Sequence, residues 1–318
     1  MIIRDYAVCY FDLLGQRDGL LRRVREAKDL TTVQKDVELV SGAIRNFNAI
    51  IATATEDIKT NPERLLQIAG FPQDEINKSL PDIKKLSLGI QQFSDTTVFY
   101  VNADSRVGLG VFSAWCRILS LRYLGLVASG ILIRGGIAIG RGWEISPNCL
   151  YGPVLEDVYH LEGKIADCPR IVTTHQVYRR LVEVDRYDAV YYKQFPPAPL
   201  DLKCAELFSM DFDGAYILDY LSLSAITGHK ILFQSSGDDI AKAVKEGMRF
   251  ICEKKDELQN QALDDINKAN VARKFALLKS YWLQRIDMVL NACDADKVTQ
   301  NACTDSRASQ ACKEMADV

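Results

Sequence analysis

The chain has 318 residues, of which 48% are hydrophobic and 25% charged; this is the composition of a folded globular protein and excludes a mainly disordered chain. Its net charge is −3, so no overall basic field attracts nucleic acid or an anionic membrane, and a nucleotide would have to be held by local groups and metal ions. Nine cysteines without a C-x-x-C pair indicate reduced thiols, and the absence of a signal-peptide pattern predicts a cytoplasmic location with no membrane span.

Periodicity along the chain predicts an alternation of strands and helices. Apolar and aromatic runs closed by turn residues indicate strands, whereas apolar residues at spacings of three and four indicate amphipathic helices. In chain order the predictions are a strand over residues 6–14, a helix after 31, a hairpin of 86–93 and 97–101, a helix over 107–127 and a strand over 131–140. Residues 155–165 predict a further helix, and 170–172 a short strand.

The order strand, helix, hairpin, helix, strand is typical of the ferredoxin-like split βαβ arrangement. The predicted fold class is therefore α+β, with an antiparallel sheet covered by helices on one face. Towards the C-terminus one apolar helical stripe consists of Val271, Phe275, Leu278, Trp282, Ile286 and Val289. We predict a domain over 1–235, a helical extension over 236–295 that packs on the core or pairs two subunits, and a flexible tail over 296–318.

Two acidic residues stand in strand-like surroundings. Asp12 interrupts an apolar strand, where a buried carboxylate without a partner is costly, and Asp95 lies at the tip of the predicted hairpin. In a split βαβ sheet the first strand neighbours the hairpin, so both carboxylates can reach one point and hold two divalent cations, Mg²⁺ or Mn²⁺. Each acid also has an ordinary interpretation, as a strand-edge acid at 12 and a turn-forming acid at 95.

Two further features favour an anionic ligand. Gly15 and Gln16 follow Asp12 and lead towards a helix, where backbone N–H groups can approach a phosphate. Arg134 precedes two glycines in an apolar strand, and a buried guanidinium needs an anionic partner. That partner is either a phosphate or a carboxylate of the protein.

Four segments, in this order, resemble the motifs of class III nucleotidyl cyclases. Phe11-Asp12-Leu13-Leu14-Gly15 resembles their first metal motif, and Ser94-Asp95 resembles the second, with Ser in place of the usual Gly. The segment 134–140 resembles the strand whose Arg contacts phosphate, and the segment 151–162 resembles the start of their catalytic helix. The likeness covers about residues 6–172 and is specific as an ordered set.

The resemblance implies roles for individual residues. Asp12, Leu13 and Asp95 take the metal site. The catalytic helix of the family carries Asn and, four residues later, Arg; Glu156 and His160 stand at those positions here and are the candidate catalytic residues. Glu156 otherwise favours the start of a helix, and His160 is otherwise a histidine on a helix surface.

Gln91 and Cys149 stand at the positions that read the base in the family. Because an amide both donates and accepts hydrogen bonds, Gln91 does not choose between uracil and cytosine. The segments 152–162 and 168–172 further resemble the pyrimidine cyclases of bacterial Pycsar anti-phage systems. That resemblance implies a homodimer with composite active sites.

The expected function is cyclisation of a pyrimidine nucleoside triphosphate, UTP favoured over CTP, to the 3′,5′-cyclic monophosphate and pyrophosphate, as a signal in anti-phage defence. Two alternatives stay open. One is a catalytically degenerate, cyclase-like nucleotide sensor, which the missing Asn and Arg favour. The other is a purine cyclase that makes cyclic AMP or cyclic GMP.

Overall fold

The computed structural model describes residues 2–13, 24, 27, 29, 31–63, 73–93, 96–191, 203–227, 235–261 and 266–294. The strands are β1 Arg4–Leu13, β2 Leu88–Phe93, β3 Thr96–Asn102, β4 Ile133–Ser146, β5 Cys149–Tyr151, β6 Ile171–Thr173, β7 Phe208–Met210 and β8 Tyr216–Leu218. The longer helices are α1 Thr31–Thr60, α2 Gln73–Ile83, α3 Arg106–Ala128, α4 Pro153–His160, α5 His175–Tyr191, α6 Gly237–Gln261, α7 Ile266–Leu283 and α8 over 286–294. A π-helical turn, Leu161–Ile165, continues α4.

One sheet organises the fold, in the order β2-β3-β1-β4-β6-β8-β7, with β5 paired to β4. The neighbouring strands β2, β3, β1 and β4 are antiparallel to one another. The connection from β1 to β2 passes over β3, and the connection from β3 to β4 passes over β1. The predicted order of elements up to β4 is therefore confirmed, and the architecture mixes helices with an open sheet. The expected antiparallel sheet is found from β2 to β4, and β6 extends it as a strand parallel to β4 after the α4 crossover.

The larger core lies on the face of the sheet that carries the odd-numbered residues of β1. Phe11 and Phe99 stack on Trp115 of α3, with ring centroids 5.8 and 4.0 Å apart. Helix α3 is long and apolar enough to cross a membrane by length and composition alone, and just over half of its most apolar window is buried inside the protein. Packing between the sheet and α6 accounts for that composition, as in the core helix of a soluble protein.

The C-terminal helices share this core. Helices α6 and α7 pack against each other as a hairpin, and α6 lies on α3. The predicted apolar stripe is confirmed at Phe275, Leu278, Trp282 and Val289, which are buried, whereas Val271 is 40% exposed. Trp282 donates a hydrogen bond from Nε1 to the Tyr220 hydroxyl, 2.7 Å away. Of the two expectations for these helices, packing on the core is therefore observed in the single chain; the tail over 296–318 lies outside the described residues.

The opposite face of the sheet carries a smaller core. It is formed by even-numbered residues of β1 together with β3, β4, β5 and the short helix α4: Tyr6, Val8, Tyr10, Val98, Tyr100, Ala138, Leu150, Val154 and Val158. We call this side of the sheet the site face, because the side chains of the candidate residues Asp12, Arg134 and Gln91 lie on it.

Candidate functional site

Asp12 lies at the centre of three neighbouring strands on the site face. It pairs in register with Thr96 of β3 on one side and with Arg134 of β4 on the other. Directly paired residues point to the same face, so the three side chains lie side by side. Thr96 donates a hydrogen bond from its hydroxyl to Asp12 Oδ1, 3.0 Å away, which orients the carboxylate.

Of the residues predicted to bind metal, Asp12 is the acid that the structure describes. Asp95 itself lies outside the described residues, but the residue that follows it, Thr96, is the direct partner of Asp12. The side chain of Leu13 is buried in the core on the other face, so only its backbone carbonyl is available as a ligand. A carboxylate and a carbonyl are the hard oxygen donors that Mg²⁺ and Mn²⁺ prefer. Among the residues that the structure describes, no three His, Cys, Asp or Glu side chains cluster closely enough to hold a metal.

Arg134 forms an ion pair with Glu162 in the π-helical turn. Its Nε and Nη2 both contact Glu162 Oε1, and the two side chains are 22% and 10% exposed. The carboxylate partner considered for Arg134 is thus present in the protein. Within the described chain the pair leaves Nη1 without a hydrogen bond, so part of the guanidinium fork can still meet a phosphate oxygen. The phosphate-binding prediction for Gly15 and Gln16 falls outside the described residues.

Sequence reasoning did not single out Glu162, although a signal was present. The buried residues Val154 and Val158 and the half-buried Leu161 are spaced as one face of a helix, and Glu162 falls eight residues after Val154 on that same face. An acid on an inward-facing helical stripe needs a buried partner. Glu162 lies in the π-helical turn, which places its carboxylate against Arg134, and such turns are frequent at functional sites.

Helix α4 is held directly on β4 by a close backbone approach at Gly136. A Cβ atom there would lie 2.5 Å from the carbonyl oxygen of Val158 and 2.7 Å from Leu161 Cβ. The absence of a side chain at Gly136, two residues from Arg134, therefore allows the helix to sit on the strand. Glu156 and His160 are exposed on this helix, one turn apart, where they are accessible to a ligand or to a second subunit.

We expect Gly136→Ala to destabilise the protein by about 1–3 kcal/mol, because the added methyl group pushes α4 away from β4. Gly125→Ala is the matched control: that glycine is exposed in α3 with open space around it, and alanine there should be neutral or stabilise by about 0.5–1 kcal/mol. Urea unfolding of both variants measures the difference. Equal stability of the two would mean that α4 is not seated on Gly136.

Tyr10 borders the same acids. Its ring packs against that of Tyr159 of α4, with centroids 4.6 Å apart and the ring planes tilted by 53°, and Tyr159 is 47% exposed. Burial raises the pKa of Tyr10 to about 12; a hydrogen bond with Thr96 opposes the shift, and the negative charges of Asp12 and Glu162 add to it. Tyr10 is therefore a neutral hydroxyl at the edge of the site at physiological pH.

We expect this tyrosine to make the fold sensitive to alkali. An unfolded tyrosine ionises near pH 10, whereas Tyr10 in the folded protein holds its proton to about pH 12. The unfolded state then loses its proton first, so stability is complete below about pH 10 and is lost as the pH rises towards 12. In an alkaline titration of wild type, followed by phenolate absorbance and by helicity, the ionisation of Tyr10 should occur well above pH 10 and together with loss of helicity. A Tyr10→Phe variant that lost stability over the same range to the same extent would show that Tyr10 contributes nothing.

The predicted base-reading residues form a second group on the site face. Gln91 of β2 donates from Nε2 to the backbone carbonyl of Leu150, 3.4 Å away, and Cys149 is the residue next to Leu150. The structure thus brings Gln91 and the Cys149 segment together. From the spacing of the strands and the rise per residue, Gln91 and Asp12 are about 12 Å apart. The buried Gln91 Oε1 has no hydrogen-bond partner among the described residues.

The rim of the site face is aromatic and exposed. Phe93, Tyr151 and Tyr159 are 56%, 57% and 47% exposed. The face therefore offers two polar groups, one around Asp12 and one around Gln91, with apolar rings at its borders. Exposed aromatic side chains of this kind are enriched where a second protein surface binds.

Comparison with known proteins adds no family to this geometry: no protein-family model matches the chain, and no curated protein matches it significantly.

Proposed function

We propose that this protein is a cytoplasmic class III-type nucleotidyl cyclase that converts a pyrimidine nucleoside triphosphate to its 3′,5′-cyclic monophosphate and pyrophosphate. The observation that carries the proposal is the register of β1 with its neighbours. Asp12 stands between Arg134 and Thr96, the residue after Asp95, on the site face, opposite the core that the long helices share with the sheet. This register supports the proposal, because it would bring a metal-binding carboxylate and a phosphate-binding arginine to one point of the sheet.

In the proposed reaction the ribose 3′-oxygen attacks the α-phosphorus, the bond to the β-phosphate oxygen breaks, pyrophosphate leaves, and the hydroxyl proton passes to solvent. Two divalent cations, when bound, would lower the pKa of that hydroxyl and neutralise the triphosphate charge. Asp12, Asp95 and the Leu13 carbonyl would hold them. Arg134, already oriented by Glu162, would offer Nη1 to a phosphate oxygen and stabilise the charge that develops there.

A homodimer is part of the proposal. The Asp12 group and the Gln91 group lie about 12 Å apart on one face, and exposed aromatic rings surround them. Pairing two such faces would set the metal group of one subunit against the base-reading group and α4 of the other. Each site would then draw Glu156, His160, Gln91 and Cys149 from the partner. As an anti-phage signal generator, the enzyme would release cyclic UMP in preference to cyclic CMP.

A nucleotide sensor is the second candidate, and one observation favours it. The guanidinium of Arg134 is engaged by Glu162, and the residues at the family's Asn and Arg positions are an exposed acid and an exposed histidine. Such a site could bind a triphosphate without cyclising it. A purine cyclase is the remaining alternative, because the register that places Asp12 between Thr96 and Arg134 does not depend on the base.

One assay separates these functions. The protein is incubated with each of the four ribonucleoside triphosphates and Mn²⁺ or Mg²⁺, and the products are identified by mass spectrometry. Cyclic UMP or cyclic CMP supports the pyrimidine cyclase, and cyclic AMP or cyclic GMP replaces it with a purine cyclase. Nucleotide binding without any cyclic product would overturn the enzyme proposal in favour of the sensor.

A further inference from the structure

The ribbon formed by the end of β4 and by β5 folds back over the site face. Strand β1 ends its pairing with β4 at Gly142, and the chain beyond it turns at Pro147 and Asn148 and returns as β5. Leu150 of β5 is buried in the small core with Tyr6 and Tyr100. The ribbon therefore carries Cys149 back across the sheet to β2, where Gln91 meets the Leu150 carbonyl.

Glu144 attaches this ribbon to the sheet. It lies on β4 opposite Leu150, at a bulge in the β4–β5 pairing, and its carboxylate accepts hydrogen bonds from the Tyr100 hydroxyl and the Ser87 hydroxyl. Ser87 directly precedes β2 and Tyr100 lies in β3. Burial, and next the bond to Glu144, raise the pKa of Tyr100, so its hydroxyl remains a donor.

The turn at the tip of the ribbon sits on Gly89. A Cβ atom at Gly89 would lie 2.5 Å from the Tyr100 hydroxyl and 2.8 Å from Asn148 Oδ1. Asn148 has a backbone φ of 60°, which asparagine tolerates better than most residues. The Tyr100 hydroxyl that binds Glu144 and the turn that precedes Cys149 therefore share the space that Gly89 leaves open.

These contacts determine where Cys149 stands relative to Gln91. We propose that Glu144 is a positioning residue, which holds the Cys149 ribbon against Gln91 and thereby sets which base this group can read. Glu144 acts through Tyr100 and Ser87, and both of its carboxylate oxygens are already engaged. The buried Gln91 Oε1, which has no hydrogen-bond partner among the described residues, is the acceptor that would bind an N–H group of the base. This inference rests on the proposed function for the identity of the ligand.

The test uses Glu144→Gln in the full chain, with Glu253→Gln as the matched control. Glu253 is an exposed acid on α6, and its ion-pair partner among the described residues is the exposed Arg249. For Glu144→Gln we expect the ratio of kcat/KM for UTP to that for ATP to fall about tenfold, through KM for UTP, with kcat largely kept. Tyr100→Phe, which removes one hydrogen bond and keeps the ring, should give a smaller change in the same direction.

A second readout does not depend on catalysis. Alkylation of Cys149 by iodoacetamide, followed by mass spectrometry of its peptide, should be about five- to tenfold faster in Glu144→Gln, because the released ribbon exposes the thiol. If wild type forms no cyclic product, the proposed function fails, and the alkylation rates still decide the positioning role. Unchanged Cys149 alkylation in folded Glu144→Gln and Tyr100→Phe overturns the inference. So does a loss of kcat with an unchanged UTP to ATP ratio.

Discussion

Asp12→Asn should abolish the proposed cyclisation while leaving the protein folded. Loss of the charge that we propose binds a metal ion should remove several kcal/mol of transition-state stabilisation, which corresponds to a fall in kcat of roughly a thousandfold or more. Asparagine has the shape of aspartate, and its Oδ1 can still accept the hydrogen bond that Thr96 donates to Asp12. The variant therefore separates the charge from the local packing.

The matched control for this substitution is Asp5→Asn on the same strand. Asp5 is half exposed and contacts Arg141, seven residues along the strand from Asp12, so its variant should keep near-normal activity. Product formation from UTP with Mn²⁺, together with thermal unfolding, measures both variants. Turnover of Asp12→Asn within threefold of wild type would show that Asp12 holds no catalytic metal, and Asp95→Asn should then be active as well.

Asp219→Ala should lose about 3–5 kcal/mol of stability, the largest structural effect that we expect. Asp219 is buried after β8. Its Oδ1 accepts from the Tyr281 hydroxyl at 2.6 Å, and its Oδ2 accepts from Arg285 Nε and the Ser209 hydroxyl, each at 2.8 Å. Removal of the carboxylate leaves the Arg285 charge half-buried without its ion-pair partner and the Tyr281 hydroxyl without its acceptor.

This network joins β7 and β8 to the C-terminal helices, so its loss should release those helices first. Hydrogen exchange of α7 and α8 should accelerate more than that of β1 and β3, and urea unfolding gives the free energy. Glu253→Ala, which removes an exposed acid of α6, should change stability by less than about 0.5 kcal/mol. A loss under about 1 kcal/mol in Asp219→Ala would mean that water or a rearranged side chain satisfies Arg285.

Asp12, Arg134 and Glu162 show which parts of the candidate site local sequence patterns could predict and which they could not. The strand around Asp12, the strand of Arg134 and the hairpin were predictable, because side-chain periodicity and turn residues are local properties. Their antiparallel order up to β4 followed from the split βαβ connection. The sequence did not decide whether the partner of Arg134 is a phosphate or a carboxylate, because Glu162 lies 28 residues away in the chain and local patterns do not predict such a contact.

The sequence by itself determined the order of strands and helices up to β4, the two candidate acids and the inward-facing C-terminal stripe, because these depend on spacings of a few residues. Only the tertiary structure decided that Arg134 is paired to Glu162, that Glu144 ties the Cys149 ribbon to Tyr100 and Ser87, and that β6 adds a parallel strand. The physical reason is that the side-chain contacts join residues 28 to 57 positions apart in the chain. Whether such residues meet, and which strands become neighbours, depends on how the whole sheet twists and packs.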